Sequence, residues 1–114
     1  MVPFGMLSLR EYLVEDGSSP FGDGFTRLDA AVAAKVTVVL GRIGQGNLAN
    51  VQGVGEGVLE VRLNSGPGYR VYFGRDGDVV VVLLGGGTKR RQQRDIEAAK
   101  ACWTAYKLRK RMGR

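Results

Sequence analysis

A chain of 114 residues, 44% hydrophobic and 25% charged, can bury one modest core and is not disordered in bulk, so residues 1–114 read as a single domain. One cysteine, Cys102, and no histidine exclude an internal disulfide, Ser-His-Asp, Cys-His and histidine-based ribonuclease chemistry, and most zinc sites; no metal or cofactor is expected. The net charge of +6 is unevenly placed: from Lys89 onward ten basic residues stand against two acidic ones, whereas the first 88 residues carry seven basic and nine acidic, which points to an anionic partner for the C-terminal part.

In chain order, "MLSLREYLV" (6–14) is a first strand, ended by the breaker run "EDGSSP". Ser19 before Pro20 is a helix start, the hydroxyl capping orphan amides and proline taking the first helical position. Phe25, Leu28, Val32, Val36, Val39 and Ile43 recur at spacings of three and four, and Asp29 can cap a second helix inside that stripe, so a short helix and a longer one are expected over 20–44. Residues 44–57, rich in Gly, Asn and Gln, read as a loop. "VLEVRLN" (58–64) alternates strictly, with Glu60, Arg62 and Asn64 on one side. After a turn at "SGPG" (65–68), "YRVYFG" places Arg70 and Tyr72 opposite Tyr69, Val71 and Phe73, and "RDGD" is a hairpin signal. "VVVVLL" (79–84) is apolar on both sides, as a strand covered on both faces is. A final helix is expected from about Arg91 to Lys110 with Ile96, Ala99, Trp103 and Tyr106 as its stripe, followed by a basic tail over about 107–114. The order β-α-α-β-β-β-α implies an α+β fold, a small antiparallel sheet with its helices packed on one face.

A guanidinium in the middle of a strand is costly unless its face is wet or its charge is paired. Side-chain parity groups Glu60, Arg62, Arg70 and Tyr72, and "TKRR" follows the last strand close by, so Arg70 is expected on a polar, net-positive, solvent-facing hollow. Ordinary cross-strand pairing of Glu60 with Arg62 or Arg70 is the competing reading. Lys89, Arg90 and Arg91 extend the cation cluster. Fixed cations can hold an RNA phosphate and stabilise charge that builds on it during cleavage, and a tyrosine can stack on a base or relay a proton. Without histidine, acid and base roles fall to Glu60, Tyr72 or a lysine. "GGGTKRR" fails the Walker A spacing, and "GVGEGV" lacks the strand-then-helix context of a dinucleotide fingerprint. Cys102 beside Trp103 reads as a core residue, not a nucleophile. No apolar run reaches membrane-spanning length and no signal peptide is visible, so a cytoplasmic protein without a membrane partner is expected.

"GNLANVQGVGEGVLEVRLNSGPGYRVYF" and "LLGGGTKRRQQRDIEAAKACW" together resemble the RelE/ParE toxin superfamily, in particular its phage-derived, HigB-like addiction module killer branch, over roughly residues 10–108. "SPFGDGFTRLD" fits the first helix of that pattern, except that Gly24 stands where an aromatic is usual. The resemblance implies a RelE-like fold and a type II toxin. Such a toxin is neutralised by a cognate antitoxin with a helix-turn-helix domain, and arrests growth by cleaving mRNA, commonly on the ribosome. It assigns Arg70 to the scissile phosphate and Lys89 and Arg90 to the basic pair after the last strand, with Arg62 on a strand position that is lysine in RelE-type enzymes. Arg70, Tyr72, Lys89, Arg90 and Glu60 are thus the candidate catalytic residues, and Arg62, Arg91 and Arg94 the candidate RNA contacts. Glu60 stands where RelE-type enzymes carry a basic residue and Ile96 near their C-terminal tyrosine, so that on this resemblance either Tyr72 serves as the hydroxyl instead or a different acid/base pair operates. A ParE-like gyrase poison without chemistry of its own, and a silent antitoxin- or RNA-binding module, are the alternatives.

Overall fold

The computed structural model describes residues 6–63 and 68–113. The predicted turn over 65–68, apart from Gly68, and Asn64 lie outside the described residues. The elements are β1 (Ser8–Glu11), α1 (Pro20–Thr26), α2 (Ala30–Gly44), β2 (Val51–Gly55), β3 (Val58–Arg62), β4 (Arg70–Asp76), β5 (Val80–Gly87), one 3-10 turn (Lys89–Arg91) and α3 (Gln92–Arg111).

Both N-terminal helices begin where their caps dictate. The Ser19 hydroxyl accepts the Gly22 N–H at 2.9 Å and opens α1, and the Asp29 carboxylate accepts the Val32 N–H at 3.0 Å and opens α2. Each cap satisfies an amide that has no partner inside its own helix.

The sheet runs β1-β5-β4-β3-β2 and is mixed, not purely antiparallel. β2 to β5 form an antiparallel meander, but β1 joins β5 in parallel, with Ser8 opposite Val80 and Glu11 opposite Leu83. The chain leaves β1 through two helices, re-enters the sheet at its far edge and returns to β1 strand by strand. β2 occupies part of what reads as a loop in the sequence. Its ladder partner β3 supplies what its own glycines do not: Gln52 lies opposite Glu60, and the register shifts between Gly53 and Gly55.

The helices do not share one face. Phe21, Val36 and Ile43 of α1 and α2 bury Val61, Val71, Phe73, Val81 and Leu83 on one side. Ala99 and Trp103 of α3 bury Val58, Tyr72, Val82 and Leu84 on the other. The reason is written in β5, whose valines and leucines are apolar on both faces and need a cover on each. The residues read as a basic tail are largely helix, since α3 runs unbroken to Arg111.

Candidate functional site

Strand pairing does bring the predicted residues together. Glu60 lies opposite Tyr72 and Arg62 opposite Arg70, while β5 sets Gly85 beside Tyr72 and Gly87 beside Arg70. The small glycine lets the first turn of α3 descend onto the sheet: a Cβ on Gly87 would collide with an Asp95 carboxylate oxygen.

That descent overturns the expectation of a wet hollow. Arg70 is 3% exposed, Glu60 1% and Tyr72 0%, because the start of α3 roofs them. Arg62, Lys89, Arg90, Arg91 and Arg94 are exposed. The site therefore has two layers, a buried polar floor and a cationic rim. Gly68 links them: a Cβ there would stand 3.4 Å from Arg70 Nη1 and 3.7 Å from the Lys89 Cβ. Arg90, Arg91, Gln93 and Arg94 line a shallow depression of about 520 Å³ on the rim.

Inside the floor, Glu60 accepts from the Gln52 side-chain amide at Oε1 and from that of Gln92 at Oε2, each at 3.0 Å. Arg70 Nε stands 3.7 Å from Oε2, and Arg70 Nη1 donates to the Gly68 carbonyl at 2.6 Å. The cross-strand pairing read as the competing possibility is thus the one that forms, between Glu60 and Arg70. A buried ion pair persists when further hydrogen bonds satisfy it, and the two glutamines serve that purpose. Among the described residues, Arg70 Nε and the Tyr72 hydroxyl make no hydrogen bond of ordinary geometry, although the hydroxyl lies close enough to Glu60 to feel its carboxylate.

Burial, and next the Glu60 carboxylate, push the Tyr72 hydroxyl far above its ordinary value. It stays protonated at neutral pH and can donate a proton or a hydrogen bond, but it cannot serve as a base. Burial likewise raises Asp95, which Arg91 and Arg94 partly oppose, and it raises Tyr69, with Asp95 adding to the effect. Cys102 is half-buried against the α3 core and burial pushes its thiol up, Arg109 partly opposing, which disfavours the thiolate a nucleophile needs. No three His, Cys, Asp or Glu side chains converge as a metal would need among the described residues.

Sequence reasoning missed Gln52, Gln92 and Asp95. Gln92 and Asp95 sit one helical turn apart behind "TKRR", and a doubled glutamine followed by an acid at a helix start was the available signal. Gln52 carried none, because its segment did not read as a strand.

No family model matches the chain. An uncharacterised protein of Haemophilus influenzae is 40% identical over 67 residues, which cover 59% of this chain and 68% of that protein, and the chain belongs to the same family as that protein. Among solved structures, a mutant of the E. coli toxin RelE in the free state matches with a TM-score of 0.62 at 20% identity, over 84% of this chain and 97% of that one. The fold is RelE-like.

Proposed function

We propose that this protein is the toxin of a type II toxin–antitoxin pair and that it arrests growth by cleaving mRNA in the cytoplasm, on or off the ribosome. One observation carries the reading: on a RelE-like fold, exposed cations cluster on the turn and first helical turn whose Gln92 reaches the buried floor, where Arg70 Nε and the Tyr72 hydroxyl lack hydrogen-bond partners among the described residues. Lys89, Arg90, Arg91 and Arg94, with Arg62 at the flank, hold the RNA backbone. Arg70 supports the scissile phosphate as the neighbouring 2′-hydroxyl attacks it, passing its proton to solvent water. Tyr72 supplies the proton to the departing 5′-oxygen, so that the P–O5′ bond breaks to leave a 2′,3′-cyclic phosphate and a 5′-hydroxyl, and solvent returns the proton to Tyr72. Glu60 anchors Arg70. Since Arg70, Glu60 and Tyr72 are all buried, chemistry requires the Lys89 side of the rim to part from Gly68 above Arg70 while Gln92 keeps its bond to Glu60.

The partner in this reading is a cognate helix-turn-helix antitoxin whose acidic segment covers the rim. Reversing Lys89, Arg90 and Arg94 to glutamate should abolish neutralisation; an antitoxin that still binds this variant docks elsewhere.

The same burial favours a second reading, a ParE-like protein that inhibits gyrase by binding alone. Induction followed by mapping of RNA 5′ ends in ribosome-associated messages, beside a supercoiling assay with purified gyrase, separates the two. New ends that vanish with Lys89→Ala/Arg90→Ala and with Arg70→Ala support cleavage. Inhibited supercoiling with intact messages supports the gyrase reading, and neither effect identifies a silent binding module. Among the described residues no helix is long and apolar enough to cross a membrane.

A further inference from the structure

The ion pair under the rim is held open. Each oxygen of Glu60 already accepts an amide donor at 3.0 Å, one from Gln52 on β2 and one from Gln92 at the start of α3. Arg70 Nε is left 3.7 Å from Oε2, within reach of charge attraction but outside hydrogen-bond distance. A buried carboxylate beside a guanidinium ordinarily closes to a charge-assisted hydrogen bond of roughly 2.7–2.9 Å. Here two neutral donors from two different elements satisfy the carboxylate, one from either side. Glu60 is 1% exposed, so no bulk water replaces them. The result is a guanidinium that is neutralised and fixed in place, also through Nη1 to the Gly68 carbonyl at 2.6 Å, while its Nε donor has no partner among the described residues.

We propose that Gln52 and Gln92 are positioning residues: holding Glu60 from both sides, they keep its carboxylate off Arg70 Nε, so that this N–H and the Tyr72 hydroxyl remain available to a phosphate oxygen. Only the identity of that anion rests on the RNA-cleaving reading of the site; the clamp itself is a geometry of this chain. Gln92 carries a second consequence, because it is the first residue of α3 and follows the Lys89–Arg91 turn directly. The bond that restrains Glu60 also ties down the start of α3 directly after the Lys89–Arg91 turn, so floor and rim are linked by one side chain.

Near-isosteric methionine removes the amide donors at little change in volume. In Gln92→Met, and separately in Gln52→Met at the exposed sheet edge, Glu60 should close on Arg70. The Arg70 Nε–H resonance, assigned in ¹⁵N spectra by its loss in Arg70→Lys, should move downfield and exchange more slowly with solvent. Adding Glu60→Gln should reverse the shift. Binding is read with a fluorescent 2′-O-methyl oligoribonucleotide, which cannot undergo 2′-hydroxyl attack. Affinity should fall roughly tenfold in Gln92→Met, the effect of one charge-assisted hydrogen bond, and return in Gln92→Met/Glu60→Gln. Glu97→Gln, which changes the net charge equally at an exposed position, should give no such rescue. Glutamines that merely stabilise the fold would lower the melting temperature without rescue by Glu60→Gln. A resonance unmoved by both methionine substitutions, or an affinity loss that persists with Glu60→Gln, overturns the proposal. If the resonance moves and returns while wild-type protein ignores the oligonucleotide, the clamp stands and it is the RNA reading that falls.

Discussion

The two ends of α3 rest on the same face of the sheet and are fastened by opposite means. Toward its C-terminus the contacts are apolar and tight. Trp103 lies so close over Gly74 that a Cβ there would be 2.7 Å from the indole, and Tyr106 stacks on that ring with centroids 5.3 Å apart. Asp76 accepts the Tyr106 hydroxyl at 2.5 Å and pairs with Lys110, while Arg109 lies over the Tyr12 ring and donates to the Leu13 carbonyl at 2.8 Å. Toward its N-terminus the contacts are polar: Gln92 reaches Glu60, Asp95 settles over Gly87, and Lys89, Arg90, Arg91 and Arg94 crowd together in solvent. Unpaired buried donors and neighbouring like charges destabilise a fold. One end of the helix supplies the stability that lets the other keep such groups.

If that division holds, the largest loss comes from the C-terminal end. Trp103→Ala removes a buried indole from a closely fitted site and should lower the unfolding free energy by about 3–5 kcal/mol in urea denaturation. Gly74→Ala attacks the same contact from the strand side. Its methyl has the Trp103 ring in its way, so a loss of about 1–3 kcal/mol is expected. Lys89→Ala/Arg90→Ala at the other end should move stability by no more than about 0.5 kcal/mol while growth arrest disappears. A double mutant at the rim that unfolds the protein would break the comparison.

Tyr72→Phe tests the floor. The hydroxyl is buried without a partner among the described residues, so removing it should leave stability unchanged or raise it by up to about 1 kcal/mol. The pH dependence follows from the raised value of Tyr72. The folded state keeps the proton that the unfolded chain releases above its ordinary value of 10.0. Its ionisation therefore costs the fold nothing below pH 10, and stability falls as pH rises beyond it. Tyr106 is also raised, by burial and then Asp76, so Tyr72→Phe should soften the alkaline loss without abolishing it. Acid acts at the other end. The Lys110 and Tyr106 hydrogen bonds hold Asp76 below its ordinary 3.8, so its contribution is present above that pH and is lost as pH falls through its lowered value. Thermal melts across pH should show the acid limb in both proteins and a shallower alkaline limb in Tyr72→Phe alone.

Much of this was legible in the sequence wherever a periodic pattern met a cap. The α2 stripe opens at Asp29, β3 alternates strictly, and the α3 stripe puts Ala99 and Trp103 in the core. Parity also grouped Glu60, Arg62, Arg70 and Tyr72 correctly. What parity does not encode is depth. Whether a shared face is wet depends on which element lies over it, and an apolar stripe says that α3 buries a side without saying against which face. The doubly apolar β5 held that information, since helices on one face alone would have left Val82 and Leu84 in water. β2 stayed hidden because a strand with glycines at 53 and 55 forms only when its neighbour supplies the ladder. Gln52 and Gln92 were hidden for the same reason, being informative only once Glu60 lies between them.

The smallest expected effect sharpens the comparison from beneath the sheet. Gly24 in α1 lies near the Tyr69 hydroxyl and the Gly86 carbonyl, on the face opposite α3 and under the polar end of the site. A Cβ there would meet the hydroxyl at 3.5 Å, an ordinary contact, and its backbone does not adopt positive φ. Gly24→Ala should therefore add about 0.5–1 kcal/mol through helix propensity alone. Gly41 in α2, where a Cβ meets nothing within 4 Å, is the control with the same propensity term. Equal gains would mean that Gly24 costs only backbone entropy and that the polar end is weak because of its own unpaired groups. A distinctly larger gain at residue 24 would show that the end holding Arg70 is also underpacked from below, and the division of labour along α3 would then not be the whole account of its weakness.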